Sequence, residues 1–388
     1  MTYDLVIKNG TVIDPAQGIR DQRDVAISGG RIAAVEADIG DSNTHDVVEA
    51  DGLLVTPGLV DLHVHVWWGV AHLAIEVDPT SLARGATTVV DAGSSGSNTV
   101  AGLHRYVIDQ SDTRTVAFLN ISGMGQLDLD IGELEDIRWA RVDKAVEAAR
   151  LHGNVIVGMK VRLSKPIAGR NDMTGLQRAL DAAIQIDKPL MVHIGNTHHP
   201  LEEILRQLRP GDIVTHSFHG IPRGIIADNG RVIAAAVEAR ERGVIFDVGH
   251  GRGAFSFDVA EKALADGFPP GTVSSDVHRY NVRGPVYDLA TTLSKYLLMG
   301  LSLDEVIALG TERPARAVGL QGQAGSLKVG APADVAVFRL ENDPVQLYDT
   351  LGVMREGRQL LVPVVTIRNG RRFAPSYGRH PNLIQQQP

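Results

Sequence analysis

Two histidines stand one residue apart in GLVDLHVHVWWG (Gly58–Gly69), a spacing that can hold a metal ion. The flanking Val and Leu read as a strand, where residues i and i+2 share a face, so His63 and His65 project side by side with Asp61 one step earlier. Two ordinary histidines of a half-buried strand would look the same, so further ligands at other strand ends decide the matter. Lys160 follows VIVGM, His193 follows PLMV, His216 follows DIVT and Asp276 follows TVSS, each just before a polar loop.

Imidazoles and carboxylates suit Zn²⁺ and similar divalent ions. Four histidines and an aspartate exceed the roughly three protein ligands of a mononuclear catalytic zinc. Two ions about 3.5–4 Å apart, with a hydroxide between them, would use them all. Such a pair needs a bridging anion, yet no Glu or Cys occupies the fourth strand end; Lys160 does. A protonated lysine cannot ligate metal. Desolvation lowers a lysine pKa, and the free amine can add CO₂ to give a carbamate, an anion with two oxygen donors. A lysine snorkelling from a strand end and a Schiff-base lysine are the other two readings, the latter leaving the histidines without a role.

These groups need a frame that brings strand ends together. Eight strand-like runs (GLVDLHVHV, TTVVDAGS, TVAFLNISG, VIVGMKVRL, PLMVHIG, DIVTHSF, VIFDVGHG and TVSSDVH) alternate with helical stretches such as ARVDKAVEAARLHG and TGLQRALDAAIQID. From His63 to Asp276 is roughly 210 residues, about 30 per unit, which predicts an α/β fold: a (β/α)8 TIM-like barrel whose catalytic groups sit at the C-terminal strand ends. A doubly wound open sheet would carry a nucleotide-type Gly loop after its first strand, and none is present.

Both ends of the chain have a different texture. YDLVIKNGTVID reads as two strands around Asn-Gly, DVAISGGRIAAVE as two around Gly-Gly, and VPVVTIRNGRRF again carries Asn-Gly. We expect a small β-sandwich assembled from 1–57 and 323–376, the barrel over 58–322, and a frayed polar tail over 377–388.

Composition narrows the function classes. Hydrophobic content of 44% and charged content of 22% are those of an ordinary globular protein. A net charge of −8 without any basic block argues against a nucleic-acid partner. The absence of cysteine removes disulfides, thiolate zinc sites and a thiol nucleophile together. No leader pattern and no apolar run near the roughly 18 residues of a membrane span is present, so a cytoplasmic location without a membrane partner is expected.

With DLHVHV, GMKVR, MVHIG, VTHSFH and SSDVH in this order, flanked by VTPGLVDLH and GSLKVGAPADVAVF, the chain resembles the amidohydrolase superfamily over nearly its whole length. The resemblance implies a binuclear centre, with His63 and His65 on the more buried ion, His193 and His216 on the other, and carboxylated Lys160 bridging them. It also implies that Asp276 binds the buried ion and acts as general base, that the two divalent ions are zinc, and that the enzyme self-associates. Dihydroorotases carry His-x-His-x-Arg, where this chain has Trp67, and related D-aminoacylases use a bridging cysteine that is absent. GMKVRLS, DVGHGRGAFSFD and SSDVHRYNVRGPVYDL are most similar to the amidohydrolase/deacetylase branch that includes acetyl-mandelate esterases.

The implied reaction is hydrolysis of an acetyl ester or N-acetyl amide of a small carboxylic acid by metal-activated hydroxide. The alternatives are a cyclic amidase (dihydroorotase- or hydantoinase-like) and a catalytically silent scaffold of the same fold. A substrate carboxylate calls for a guanidinium, for which Arg162, two residues beyond Lys160, is the first candidate, with Arg252, Arg279 and Arg283 in later loops. His250 and His278, at strand ends, are candidates to orient the substrate or the oxyanion. Trp67 and Trp68 could wall an aromatic substrate, and His198, His199 and His219 add unranked imidazoles near the mouth.

Overall fold

The chain opens with five strands: β1 (Leu5–Asp14), β2 (Ile19–Ser28), β3 (Arg31–Glu36), β4 (Val47–Glu49) and β5 (Leu54–Pro57). Seven more follow in the middle: β6 (Leu59–Val64), β7 (Ala86–Gly96), β8 (Arg114–Asn120), β9 (Ile156–Arg162), β10 (Leu190–His193), β11 (Ile213–Thr215) and β12 (Ile245–Phe246). The last five are β13 (Val335–Glu341), β14 (Val345–Tyr348), β15 (Met354–Gly357), β16 (Leu360–Arg368) and β17 (Arg371–Phe373). These elements come from a computed structural model that describes residues 2–40, 44–376 and 380–383.

Strands β6 to β12 pair in chain order, all parallel, into one curled sheet with helices between successive strands. The two helical stretches read from periodicity are helices Val142–Leu151 and Asp172–Gln185. The eighth unit is not a regular strand. Residues 272–278 make single parallel bridges on both sides, Asp247↔Thr272 and Val64↔Val277, and so link the end of the curl to its beginning in a TIM-barrel-like arrangement. The amide of Asp276 donates to His63 O (2.7 Å), which ties the two ends of the constellation together.

Alternation explains how floor and site share one interior. Met191 and His193 lie on one face of β10, and Lys160 and Arg162 on one face of β9. Below them Val60, Val90, Phe118, Met191 and Ile213 form one buried apolar cluster. The polar residues therefore sit on a packed floor that opens only toward the C-terminal loops.

The chain ends meet in one continuous mixed sheet, ordered β17-β16-β13-β5-β1-β2-β3 with β4 on β1, rather than in two separately paired layers. The two Asn-Gly sites diverge. Asn369 and Gly370 turn β16 into β17 as expected. Asn9-Gly10 instead forms a bulge within the single strand β1, where a Cβ on Gly10 would lie 2.3 Å from Val55 Cγ2. The hairpin expected there is thus a bulge, because β5 packs against it. The described tail residues are not frayed: His380 and Leu383 are buried, and Leu383 bridges Val345. Among the described residues no helix is long and apolar enough to cross a membrane.

Candidate active site

All six strand-end residues singled out above border one cavity of about 70 Å³, together with Leu73, Arg162 and His278. Five of them are buried, Lys160 completely, and His193 is half-buried. The tightest group is His63, His216 and Asp276, whose ligand atoms lie within 4.8 Å of one another. Asp276 Oδ1 is 3.2 Å from His65 Nε2 and 3.5 Å from His63 Nε2. His216 (φ 66°) and Asp276 (φ 47°) both adopt left-handed backbone, a strained state that clusters at functional positions. The sharp turns aim both side chains back into the barrel mouth.

For His63, His193 and His216 the outer partners fix which nitrogen the ring offers. Thr215 Oγ1 donates to Asp247 (2.8 Å), so it must accept from His63 Nδ1–H (2.9 Å), leaving the Nε2 lone pair inward. His216 Nδ1–H donates to Gly249 O (2.6 Å), again leaving Nε2 free. Ser164 Oγ donates to Gly195 O (2.7 Å) and accepts from His193 Nε2–H (2.9 Å), so His193 offers Nδ1. His65 Nδ1 pairs with Ser94 Oγ (2.9 Å). Burial holds the four rings neutral, with His65 and His216 pulled down to about 3 and His63 and His193 well below the usual imidazole value.

The inward Nε2 lone pairs of His63 and His216 lie with a carboxylate oxygen, and Asp276 Oδ1 is buried with no hydrogen-bond donor. Lone pairs and an anion in mutual contact repel unless a cation lies among them. The donor set of imidazole nitrogens and a carboxylate is one that divalent metal ions accept, so these residues fit such ions.

Lys160 completes the group. Its Nζ lies 3.5 Å from His63 Nε2 and 3.3 Å from Met191 Sδ, and no carboxylate is within ion-pair distance among the described residues. Desolvation pulls its pKa down to about 7. The side chain has room because residue 93 is glycine: a Cβ there would stand 2.7 Å from Lys160 Cβ and Cγ. Gly251 likewise clears Asp276, whose Oδ2 would be 2.3 Å from an added Cβ.

The remaining candidates separate. Arg162 lines the cavity but is paired with Glu133 (2.5 Å), whose second oxygen accepts from Asn120 Nδ2 (2.7 Å). His278 Nδ1 accepts from the Tyr280 amide (3.2 Å), so its Nε2–H is the free donor, and burial lowers its pKa to about 4. His250 does not reach the cavity. Its Nδ1–H donates to Gly251 O (3.0 Å) and its Nε2 accepts from Lys295 Nζ (2.6 Å), which corrects the expectation of a substrate contact. Trp67 is core rather than a substrate wall, while Trp68 is exposed on a separate groove with Val70 and Arg279. Arg252 stands near the Tyr280 ring, 6.0 Å from its centroid, and does not line the cavity.

Sequence reasoning missed the hydroxyls and carboxylates that orient the rings, namely Thr215, Asp247, Ser94 and Ser164. Of these, Thr215 and Ser164 could have been noticed, since each is one or a few residues from a candidate ligand.

The description "Amidohydrolase family" matches residues 54–372 of the chain. A deacetylase from Agrobacterium fabrum is 35% identical over 91% of this chain and 87% of its own length, and one from Enterococcus faecalis is 34% identical over 96% and 99%. Among solved structures, an adenine deaminase superposes with a TM-score of 0.89 at 33% identity, covering 96% of this chain and 100% of that one. A dihydroorotase gives 0.87 at 33% identity over 95% and 98%.

Proposed function

This chain belongs to the amidohydrolase family and is a hydrolase, and from that premise we propose that it removes an acetyl group from a small carboxylate-bearing ester or amide. One observation carries the reading: inward imidazole lone pairs and the unpartnered Asp276 Oδ1 converge on one buried cavity. The relatives named as deacetylases support the acetyl group.

In this reading His63, His65 and Asp276 would hold one divalent ion and His193 and His216 a second, both zinc, and carboxylated Lys160 would supply the anionic oxygen donors the pair needs. The carbamate forms when the neutral amine adds CO₂ and releases one proton, and the depressed basicity of Lys160 favours that amine. Divalent ions there supply Lewis acidity, which makes water a nucleophile near neutral pH and polarises a carbonyl. Asp276, through its carboxylate, would take the proton of the attacking water and return it to the leaving oxygen or nitrogen. His278 Nε2–H is placed to donate to the substrate, and Arg162, held by Glu133, adds positive charge at the wall. Ester or amide plus water gives acetate plus the alcohol or amine, with no acyl-enzyme. We further read the curled sheet as a complete eight-unit barrel over 58–322 and the terminal sheet as folded over into a sandwich from 1–57 and 323–376.

Turnover of acetylated hydroxy and amino acids, measured beside the ring amides dihydroorotate and hydantoin, tests the proposal. Cleavage of the open-chain acetyl compounds alone is expected. Cleavage of the ring amides alone would replace it with a cyclic amidase.

A further inference from the structure

A second cavity, of about 140 Å³, lies beside the first between the loop that follows β10 and the one that follows β11. Its lining includes Gly195, Thr197, His199, His219 and Arg223 and no carboxylate. It is close to the cluster, because Ser164 Oγ bonds both His193 Nε2 (2.9 Å) and Gly195 O (2.7 Å). The candidate ligand ring and the wall of this cavity are therefore bonded to one oxygen.

Two of its side chains, His219 and Arg223, bring N–H donors to it. His219 is only 3% exposed, and its Nδ1 accepts from the Ile221 amide (3.1 Å). A backbone N–H can only donate, so the neutral ring carries its proton on Nε2, and that N–H has no partner among the described residues. That N–H opens onto the cavity, where an acceptor on a bound molecule can meet it. The ring lies between two glycines: a Cβ on Gly195 would be 3.6 Å from Nε2, and one on Gly224 would be 2.9 Å from Cε1. Arg223 holds left-handed backbone (φ 62°), and its Nη2 donates to Thr197 O (3.1 Å), which leaves the rest of the guanidinium fork without a carboxylate partner among the described residues. His199 is anchored through Nδ1 to buried Asp172 (2.8 Å), so its other nitrogen is the one left for the cavity.

We propose that this cavity binds the carboxylate of the substrate's acid part, with Arg223 as the ion-pairing group and His219 Nε2–H as a neutral donor. It rests on reading the adjoining cluster as the deacylating centre. It also moves the carboxylate anchor away from Arg162, whose charge is already engaged by the buried carboxylate of Glu133. An arginine fork with a preset donor beside it suits a planar two-oxygen anion. Substrate selection is then divided: the acetyl group enters the metal-type cavity, and the cavity lined by Arg223 and His219 sets which acids are accepted.

Calorimetric titration of the full-length protein with lactate and with its neutral methyl ester tests the subsite. Lactate is expected to bind at least about tenfold tighter, Arg223→Gln to abolish that preference, Arg223→Lys to retain most of it, and Arg162→Gln to leave it in place. No lactate binding, a preference that survives Arg223→Gln, or one lost in Arg162→Gln would overturn the proposal. Hydrolysis of a neutral acetyl ester by the wild type separates the two claims. Turnover without carboxylate preference removes the subsite and keeps the hydrolase reading, whereas Arg223-dependent lactate binding without turnover of any acetyl compound keeps the subsite and removes deacetylation.

Discussion

Among the described residues two lysines are completely buried, and their surroundings are opposite. Burial pulls both down to about 7. Lys295, on helix Leu289–Leu298, donates to three acceptors: His250 Nε2 (2.6 Å), Tyr348 O (2.7 Å) and Pro285 O (3.0 Å). Those acceptors account for all three protons of an ammonium, and they join the helix, the loop after β12 and the terminal strand β14. Among the described residues Lys160 has only a thioether sulfur and an imidazole nitrogen, at 3.3 and 3.5 Å. Burial is thus common to both, and unmet hydrogen-bonding capacity is what sets Lys160 apart. Lys295 is satisfied by the fold, and the unmet capacity of Lys160 is what the proposed chemical role would use.

Replacing each lysine in turn is the direct way to break that contrast. The largest effect expected is on turnover: Lys160→Met should lower kcat by about 10³-fold or more, as should Asp276→Asn, with the circular dichroism spectrum unchanged. A loss of under tenfold for Lys160→Met would put Lys160 in the same class as Lys295. Next, Lys295→Met strands His250 Nε2 and two carbonyls, and denaturant unfolding should report a loss of about 3–5 kcal/mol with metal content retained. Equal stability to the wild type would mean the three bonds contribute nothing net. The smallest effect concerns stability at Lys160 itself. In chelator-treated protein Lys160→Met should be about 1–2 kcal/mol more stable than the wild type, since an apolar side chain of similar length replaces an unpartnered buried amine. Destabilisation there would show that Lys160 has a structural partner after all.

The ligand-type residues were legible because barrel geometry is periodic: a polar residue ending each strand-like run lands at the same rim. That is why His63, His65, Lys160, His193, His216 and Asp276, far apart in sequence, could be named together. Orientation beyond the strand end was not legible. His250 ends its run just as His216 does, yet it turns away because Lys295, 45 residues later, offers a proton. Arg162 read as an open guanidinium because its partner Glu133 lies in the loop after β8, which carries no periodic signal. His199 and His219 could not be ranked by type, since only the contacts at Asp172 and the Ile221 amide settle which nitrogen each presents. Asn9-Gly10 failed as a turn for a related reason: the dipeptide permits left-handed backbone, and only the packing of Val55 against Gly10 decides that a bulge uses it.

Metal content decides the central claim most directly, measured by elemental analysis on protein purified without chelator, beside Lys160→Ala prepared identically. Close to two ions per chain, falling to one or fewer in the variant, is the predicted result. One ion per chain, unchanged in the variant, or none after reconstitution, would contradict a lysine-bridged binuclear centre.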